Sequence, residues 1–284
     1  MQRDLQPEKP FEGPLPGIPG TMVREVEALP EHLEGGEAIA PCTEVAANAL
    51  YFEVPGIARY LVRDGKTVDV AVSPNADRAA ARLFLVGSAR GALIHQRGEL
   101  PLNAATLVAP NWKSVAICGP STIGKSTLAA ALCRRGWLLV ADDLTRVTWN
   151  GTMAIAWPSS DRINLWRDAC EMLGENADGL ARVRDGMERF FLPARSAATP
   201  TALYAAVRLG AVPYRDNVEI SLEDRTKLLS ESTFRWRWLL ALGGRAEHAR
   251  AVGQIARRCR GVLLGGARER PAEELADRVE EVVR

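Results

Sequence analysis

With 284 residues, 47% of them hydrophobic and 25% charged, the chain is long enough for one large domain or two small ones. Its composition lies far from disordered, collagen-like and disulfide-scaffold chains. The 36 basic and 35 acidic side chains nearly cancel, so no overall charge points to nucleic acid or to an anionic membrane. Five cysteines, Cys42, Cys118, Cys133, Cys170 and Cys259, are widely spaced without a CxxC pair, which reads as buried thiols in a reducing compartment. The N-terminus is acidic and broken by prolines where a signal peptide would be basic and then apolar, and no run of about 18 apolar residues offers a membrane span. A cytoplasmic protein with no membrane or nucleic-acid partner is expected.

In chain order, residues 1–55 are punctuated by Pro7, Pro10, Pro14, Pro16 and Pro19 and show no period of 2 or 3.6. They read as an irregular, partly disordered extension, with a single catalytic domain over 56–284. From Ala58, two β-rich runs flank Asp64-Gly65, a hairpin signal. Asp77 looks like the cap of a helix carrying Ala81, Leu85, Ser88, Ala92 and His95, closed by Gly98. LNAATLVA and SVAIC read as paired buried strands around Pro110–Lys113. A glycine-containing loop, an apolar helix ended by Gly136 and the apolar strand WLLVA follow, together a βαβ-like unit. LTRVTW and TMAIAW flank Asn150-Gly151, a second hairpin signal. A helix near Trp166–Leu173, strands at RFFLP and ALYAAVRL, two helices between Ser221 and Cys259, the strand GVLLG and a charged terminal helix complete the expectation. In that last helix Leu275, Val279, Val282 and Val283 face inward.

The loop Gly119-Pro120-Ser121-Thr122-Ile123-Gly124-Lys125-Ser126 matches GxxxxGK[ST] at every position, with Thr127 opening the helix. Glycines let consecutive N–H groups turn toward phosphate oxygens, the lysine reaches the β and γ phosphates, and the serine hydroxyl ligates Mg²⁺. With glycine at about 7% of residues, chance yields the pattern in about one chain in a hundred of this length. A strand before it and a helix after it make an ordinary glycine turn a poorer explanation still. The next strand ends in Asp142-Asp143, at the edge where α/β sheets bind ligands. One carboxylate can hold the metal of MgATP while its neighbour takes a proton from an attacking hydroxyl. From its place at the strand end Asp142 is expected as the base, and Asp143, with Ser126, as metal ligand.

The segment GPSTIGKSTLAAALCRRGWLLVADD resembles the catalytic core of the HPr kinase/phosphorylase family, whose P-loop is followed by an aspartate pair in a VADD-type sequence. The resemblance extends through LIHQRGELPLNAATLV, SSDRINLWRDACEMLG and TALYAAVRL, and is nearer to the shorter HPr-kinase-like proteins of peptide-modification systems, including lasso-peptide precursor kinases. It implies the mixed-sheet α/β P-loop fold shared with phosphoenolpyruvate carboxykinase. It also implies ATP and Mg²⁺ as cofactors, phosphoryl transfer to a serine or threonine of a peptide or small protein, and allows a homo-oligomer. One departure stands out: where the family usually has a histidine, this chain has Asn103, which cannot titrate. The resemblance therefore implies a kinase without the reverse, phosphate-dependent activity.

Arg162 and Arg189 fall in segments matching that family and are auxiliary candidates for neutralising the transferred phosphoryl group, against the competing reading of surface ion pairs. His95 reads as a solvent or helix-end histidine. The aromatic set Phe234, Trp236 and Trp238 reads as an amphipathic helix packed on a core. Besides peptide phosphorylation, three functions stay open: an HPr-type carrier-protein kinase, a small-molecule P-loop kinase, and a non-catalytic nucleotide-binding module. The small-molecule kinase would need an arginine-rich lid, and no distinct insertion of that kind is visible.

Overall fold

A computed structural model of the chain describes residues 11–211 and 217–284. The chain divides into two units, the first running to Arg97 and including Arg237–Gly244, the second comprising Gly98–Trp236 and Arg245–Arg284. This corrects the expected boundary near residue 55. The first ten residues, part of the expected irregular extension, lie outside the described residues.

The first unit is built on six strands: β1 (Met22–Glu25), β2 (Glu37–Ala40), β3 (Thr43–Ala46), β4 (Ala49–Val54), β5 (Ala58–Arg63) and β6 (Thr67–Val72), in the order β1-β6-β5-β4-β3-β2. All pairs are antiparallel except β1 with β6. Four of the six strands come from the stretch expected to be irregular. β1, β2 and β3 are 4 residues each, too short between turns to show a period. The β5–β6 hairpin, in which Arg63 pairs with Thr67, turns at Asp64 and Gly65, both left-handed (φ 55° and 63°), with the Lys66 N–H donating to the Arg63 carbonyl at 2.9 Å. Asp77 caps α1 (Arg78–Phe84), its carboxylate accepting from the Ala79 N–H at 2.8 Å. A π-helical turn, Leu85–Ala89, leads into α2 (Arg90–Gln96). The buried Tyr60 hydroxyl donates to the Ala81 carbonyl at 2.8 Å, tying the helix to β5. His95, expected near solvent, is buried in α2 of this unit.

The second unit carries β7 (Leu100–Leu102), β8 (Ala104–Val108), β9 (Ser114–Cys118), α3 (Lys125–Arg134), β10 (Leu138–Ala141), β11 (Thr145–Trp149) and β12 (Ala154–Trp157). Then follow β13 (Arg162–Trp166), α4 (Arg167–Met172), β14 (Ala181–Arg182), β15 (Arg189–Pro193), β16 (Thr201–Leu209), β17 (Val218–Glu219) and α5 (Leu222–Glu231). After α6 (Trp236–Ala241), most of which belongs to the first unit, come α7 (Arg245–Arg258), β18 (Arg260–Leu264) and α8 (Ala272–Val283). Three helices thus stand where two were expected. The large sheet is mixed, ordered β10-β8-β9-β16-β12-β11-β7, with β18 parallel to β16 and β17 on β18. A small sheet, β13-β15-β14, stands apart in pairing.

Alternation along β9 explains the layering. Val115 and Ile117 join Leu128, Leu132, Val279 and Val283 under α3 and α8, while Ala116 and Cys118 join Leu228, Val252 and Ile255 under α5 and α7. The expected inward residues of α8 are all buried. The second hairpin signal gives a hairpin with a longer turn than its Asn-Gly pair suggests. Trp149 pairs with Ala154, and the Asn150 side chain accepts from the N–H groups of Thr152 and Met153 at 3.0 and 2.9 Å. Among the described residues no helix is long and apolar enough to cross a membrane.

Candidate active site

β8 runs antiparallel to both β9 and β10, so those two strands point the same way with one strand between them. The loop after β9 and the aspartates after β10 therefore emerge at the same edge of the sheet. The loop's glycines are required by its backbone: Gly119 has φ 149° and Gly124 φ 105°. A Cβ on Gly119 would sit 3.1 Å from the Leu209 carbonyl oxygen. Thr122 is also left-handed (φ 65°), a conformation unfavourable for a β-branched residue and kept by the loop around it. Gly124 is the N-cap of α3, whose first N–H groups open onto the loop.

Lys125 is buried, and its Nζ donates to the carbonyls of Gly119 at 2.9 Å and Pro120 at 3.1 Å. The side chain is thus folded back across the loop it serves. Burial lowers its pKa, while the charges of Asp143 and Asp142 pull it back up.

Asp142 ends the apolar strand with only 7% of its surface exposed. Ser126 Oγ donates to its Oδ1 at 2.9 Å, and the backbone N–H of Asn164 donates to its Oδ2 at 2.8 Å. Burial, then the neighbouring charge of Asp143, pushes the Asp142 carboxyl up to about 7. The Leu144 N–H donates to the Asp142 carbonyl at 2.8 Å across Asp143, which takes φ 65°. That tight turn sends the two adjacent carboxylates different ways. Asp143 is 42% exposed at its side chain, and its Oδ2 accepts from Asn164 Nδ2 at 3.0 Å and from Arg189 Nη2 at 2.8 Å. Ser126, expected with Asp143 as a metal ligand, hydrogen-bonds Asp142 rather than Asp143.

These groups open on a cleft of about 1540 Å³ within the second unit. Loop residues 121–126, Asn103, Asp143, Asn164 and Arg189 line it, together with Trp166, Met172 and the segment 267–273. Asn103 reaches this cleft, its backbone N–H donating to the Ser232 carbonyl at 2.7 Å between β7 and β8. Arg189 lies beside Asp143 with its guanidinium 5.8 Å from the Trp166 ring. Arg162 does not join them: it pairs with Asp161 at 2.9 Å and stacks on Phe191 at 5.0 Å, half exposed. Asn164, missed in the sequence, does. It lies one strand repeat from Arg162 on the same face of β13, so the periodicity was visible, but charge favoured the arginine. Arg268 and Arg270, also missed, line the cleft from the turn before α8.

No protein-family model matches the chain, and no curated protein matches it. Among solved structures the chain is similar to the Hpr(Ser) kinase/phosphatase from Coxiella burnetii, at 18% identity over 65% of this chain and 93% of that chain, with a TM-score of 0.36. What the cleft can do follows from its own residues.

Proposed function

We propose that the chain is an ATP-dependent phosphotransferase that carries the γ-phosphoryl group to a serine or threonine hydroxyl of a peptide or small protein, of the lasso-peptide precursor kind. The observation that carries the reading is the 2.9 Å hydrogen bond from Ser126 to Asp142, which joins the phosphate loop to the aspartate pair. A magnesium ion suits this chemistry: the groups facing one another are oxygens, Ser126 Oγ and the Asp142 carboxylate. Such an ion takes one or two carboxylates and completes its shell with phosphates and water. Ser126 and Asp142 would hold it, and it would supply charge neutralisation at the phosphates.

The remaining roles belong to this chain's own groups. Lys125 and the N–H groups at the start of α3 bind the phosphates, which requires the lysine to exchange its two loop carbonyls for phosphate oxygens. Asp143, the more exposed carboxylate, accepts the hydroxyl proton as the new O–P bond forms and the bond to the β-phosphate oxygen breaks, releasing ADP. Arg189 is placed to offset charge on the phosphoryl group. The assignment thus exchanges the roles expected for Asp142 and Asp143. Support for a peptide or small-protein acceptor comes from the resemblance of the flanking segments.

One observation favours a second reading, a small-molecule kinase: Arg268 and Arg270 line the cleft, and arginines that offset charge on the transferred phosphoryl group recur in phosphoryl-transfer enzymes. Tracking the label from γ-labelled ATP into a peptide or into a small product separates the two. The basic test is ATP consumption by the wild-type chain and by Lys125→Ala, with a thermal melt of each. Turnover only in the wild type is expected; equal turnover would remove the assignment.

A further inference from the structure

Asn164 touches both aspartates by different means. Its backbone N–H holds Oδ2 of Asp142 at 2.8 Å, a bond that survives any substitution except proline. Its side-chain Nδ2 holds Oδ2 of Asp143 at 3.0 Å, a bond that depends on the amide. The amide cannot turn over, because that would set its oxygen against a carboxylate oxygen. The cost of this fixed orientation is visible: Oδ1 of Asn164 is buried with no donor to meet. Arg189 Nη2 takes the same Oδ2 of Asp143 from the other side, and its Nε is likewise buried without a partner. The register of the small sheet explains the convergence. Asn164 pairs with Phe191 and Trp166 with Arg189, so Asn164 and Arg189 are diagonal neighbours on one face. Both donors occupy one oxygen of Asp143, and among the described residues none is donated to the other.

We infer that Asn164 is the positioning residue that divides the aspartate pair. By pinning Oδ2 of Asp143 it presents the remaining oxygen to the acceptor hydroxyl and keeps that carboxylate away from Ser126, while its backbone leaves Asp142 turned to the serine. The inference rests on the reading of Asp143 as proton acceptor. Asn164 touches no reacting atom; it acts through Asp143.

The test uses the full chain, slow MgATP hydrolysis with water as the acceptor, and calorimetric binding of ADP with Mg²⁺. Asn164→Ala should lower kcat by about ten- to a hundredfold while KM for MgATP and the affinity for ADP stay within about twofold. Asn164→Asp keeps the shape and the backbone bond but sets an acceptor against Asp143, and should lose more. In the Asp143→Asn background, Asn164→Ala should cost nothing further, since the group it positions is already disabled. An undiminished kcat in Asn164→Ala, or a full additional loss in the double variant, overturns the inference. So does a parallel loss of kcat and ADP affinity, the signature of a merely structural role and readable even if Asp143→Asn is too slow to assay. Failure of the wild-type chain to bind ADP would instead overturn the phosphotransferase reading, and undiminished turnover in Asp143→Asn would overturn the reading of Asp143 as proton acceptor on which the inference stands.

Discussion

The loop 119–126 and the aspartate turn sit at the same sheet edge but are built on opposite plans. The loop is one contiguous segment whose work is done by backbone: two left-handed glycines, the N-cap of α3 and a lysine tied to the loop's own carbonyls. The turn is assembled from three segments distant in the chain, the end of β10, the middle of β13 and the start of β15, and its work is done by side chains. A contiguous backbone device announces itself in sequence, while a device of converging side chains has to be seen in the fold.

Changes that strike the turn without touching the loop sharpen this contrast most. Asp143→Asn should lower turnover by about a hundred- to ten-thousandfold, the range for losing a general base, with ADP affinity preserved. Steady-state kinetics beside a calorimetric titration checks this, and wild-type turnover would make the carboxylate structural.

A smaller and qualitative effect concerns direction. Asn103 lines the cleft without a titratable group, so incubating phosphorylated product with inorganic phosphate should release no pyrophosphate across pH 6 to 8 (about the imidazole range). Asn103→His should introduce some. Pyrophosphate from the unmodified chain would show that the reverse reaction needs no histidine there.

The smallest expected effect is on stability. Because burial raises the Asp142 carboxyl from its ordinary 3.8 to about 7, its charged form is disfavoured in the folded chain. That penalty is absent below the ordinary value, grows as pH rises between the two, and is complete above about 7. Asp142→Asn should therefore raise Tm by a few degrees at pH 8 in the absence of Mg²⁺, at about 2–4 °C per kcal/mol for a chain of this size, and leave it unchanged near pH 4. Melting curves at the two pH values decide it, and a lowered Tm at pH 8 would mean that the hydrogen bonds to Asp142 outweigh its desolvation.

The physical basis of what was legible is uneven. The glycine loop 119–126, its strand and its helix could be read because local φ requirements and apolar runs select residue types. The Asp64-Gly65 turn was legible for the same reason. The sheet before Pro55 was not: four-residue strands carry too little alternation, and β1 enters the sheet only by a parallel pairing with the distant β6. At Asn150 the side chain lengthened the turn by capping two N–H groups, which a dipeptide rule does not contain. In the site, Arg189 and Arg162 were equal candidates by type, and only the strand register put one beside Asp143 and the other on Phe191 and Asp161. The different directions of the two carboxylates depend on the left-handed φ of Asp143, a backbone state that two adjacent identical residues cannot reveal.

The function proposed for the cleft divides it between Asp142 on the metal side and Asp143 on the acceptor side. Calorimetric titration of ADP, with and without Mg²⁺, into the wild-type chain, Asp142→Asn and Asp143→Asn tests it most directly. Mg²⁺ should tighten ADP binding in the wild type and in Asp143→Asn, and lose most of that effect in Asp142→Asn. Mg²⁺ dependence lost in Asp143→Asn and kept in Asp142→Asn would contradict the division, and no ADP binding by any of the three would contradict the nucleotide site itself.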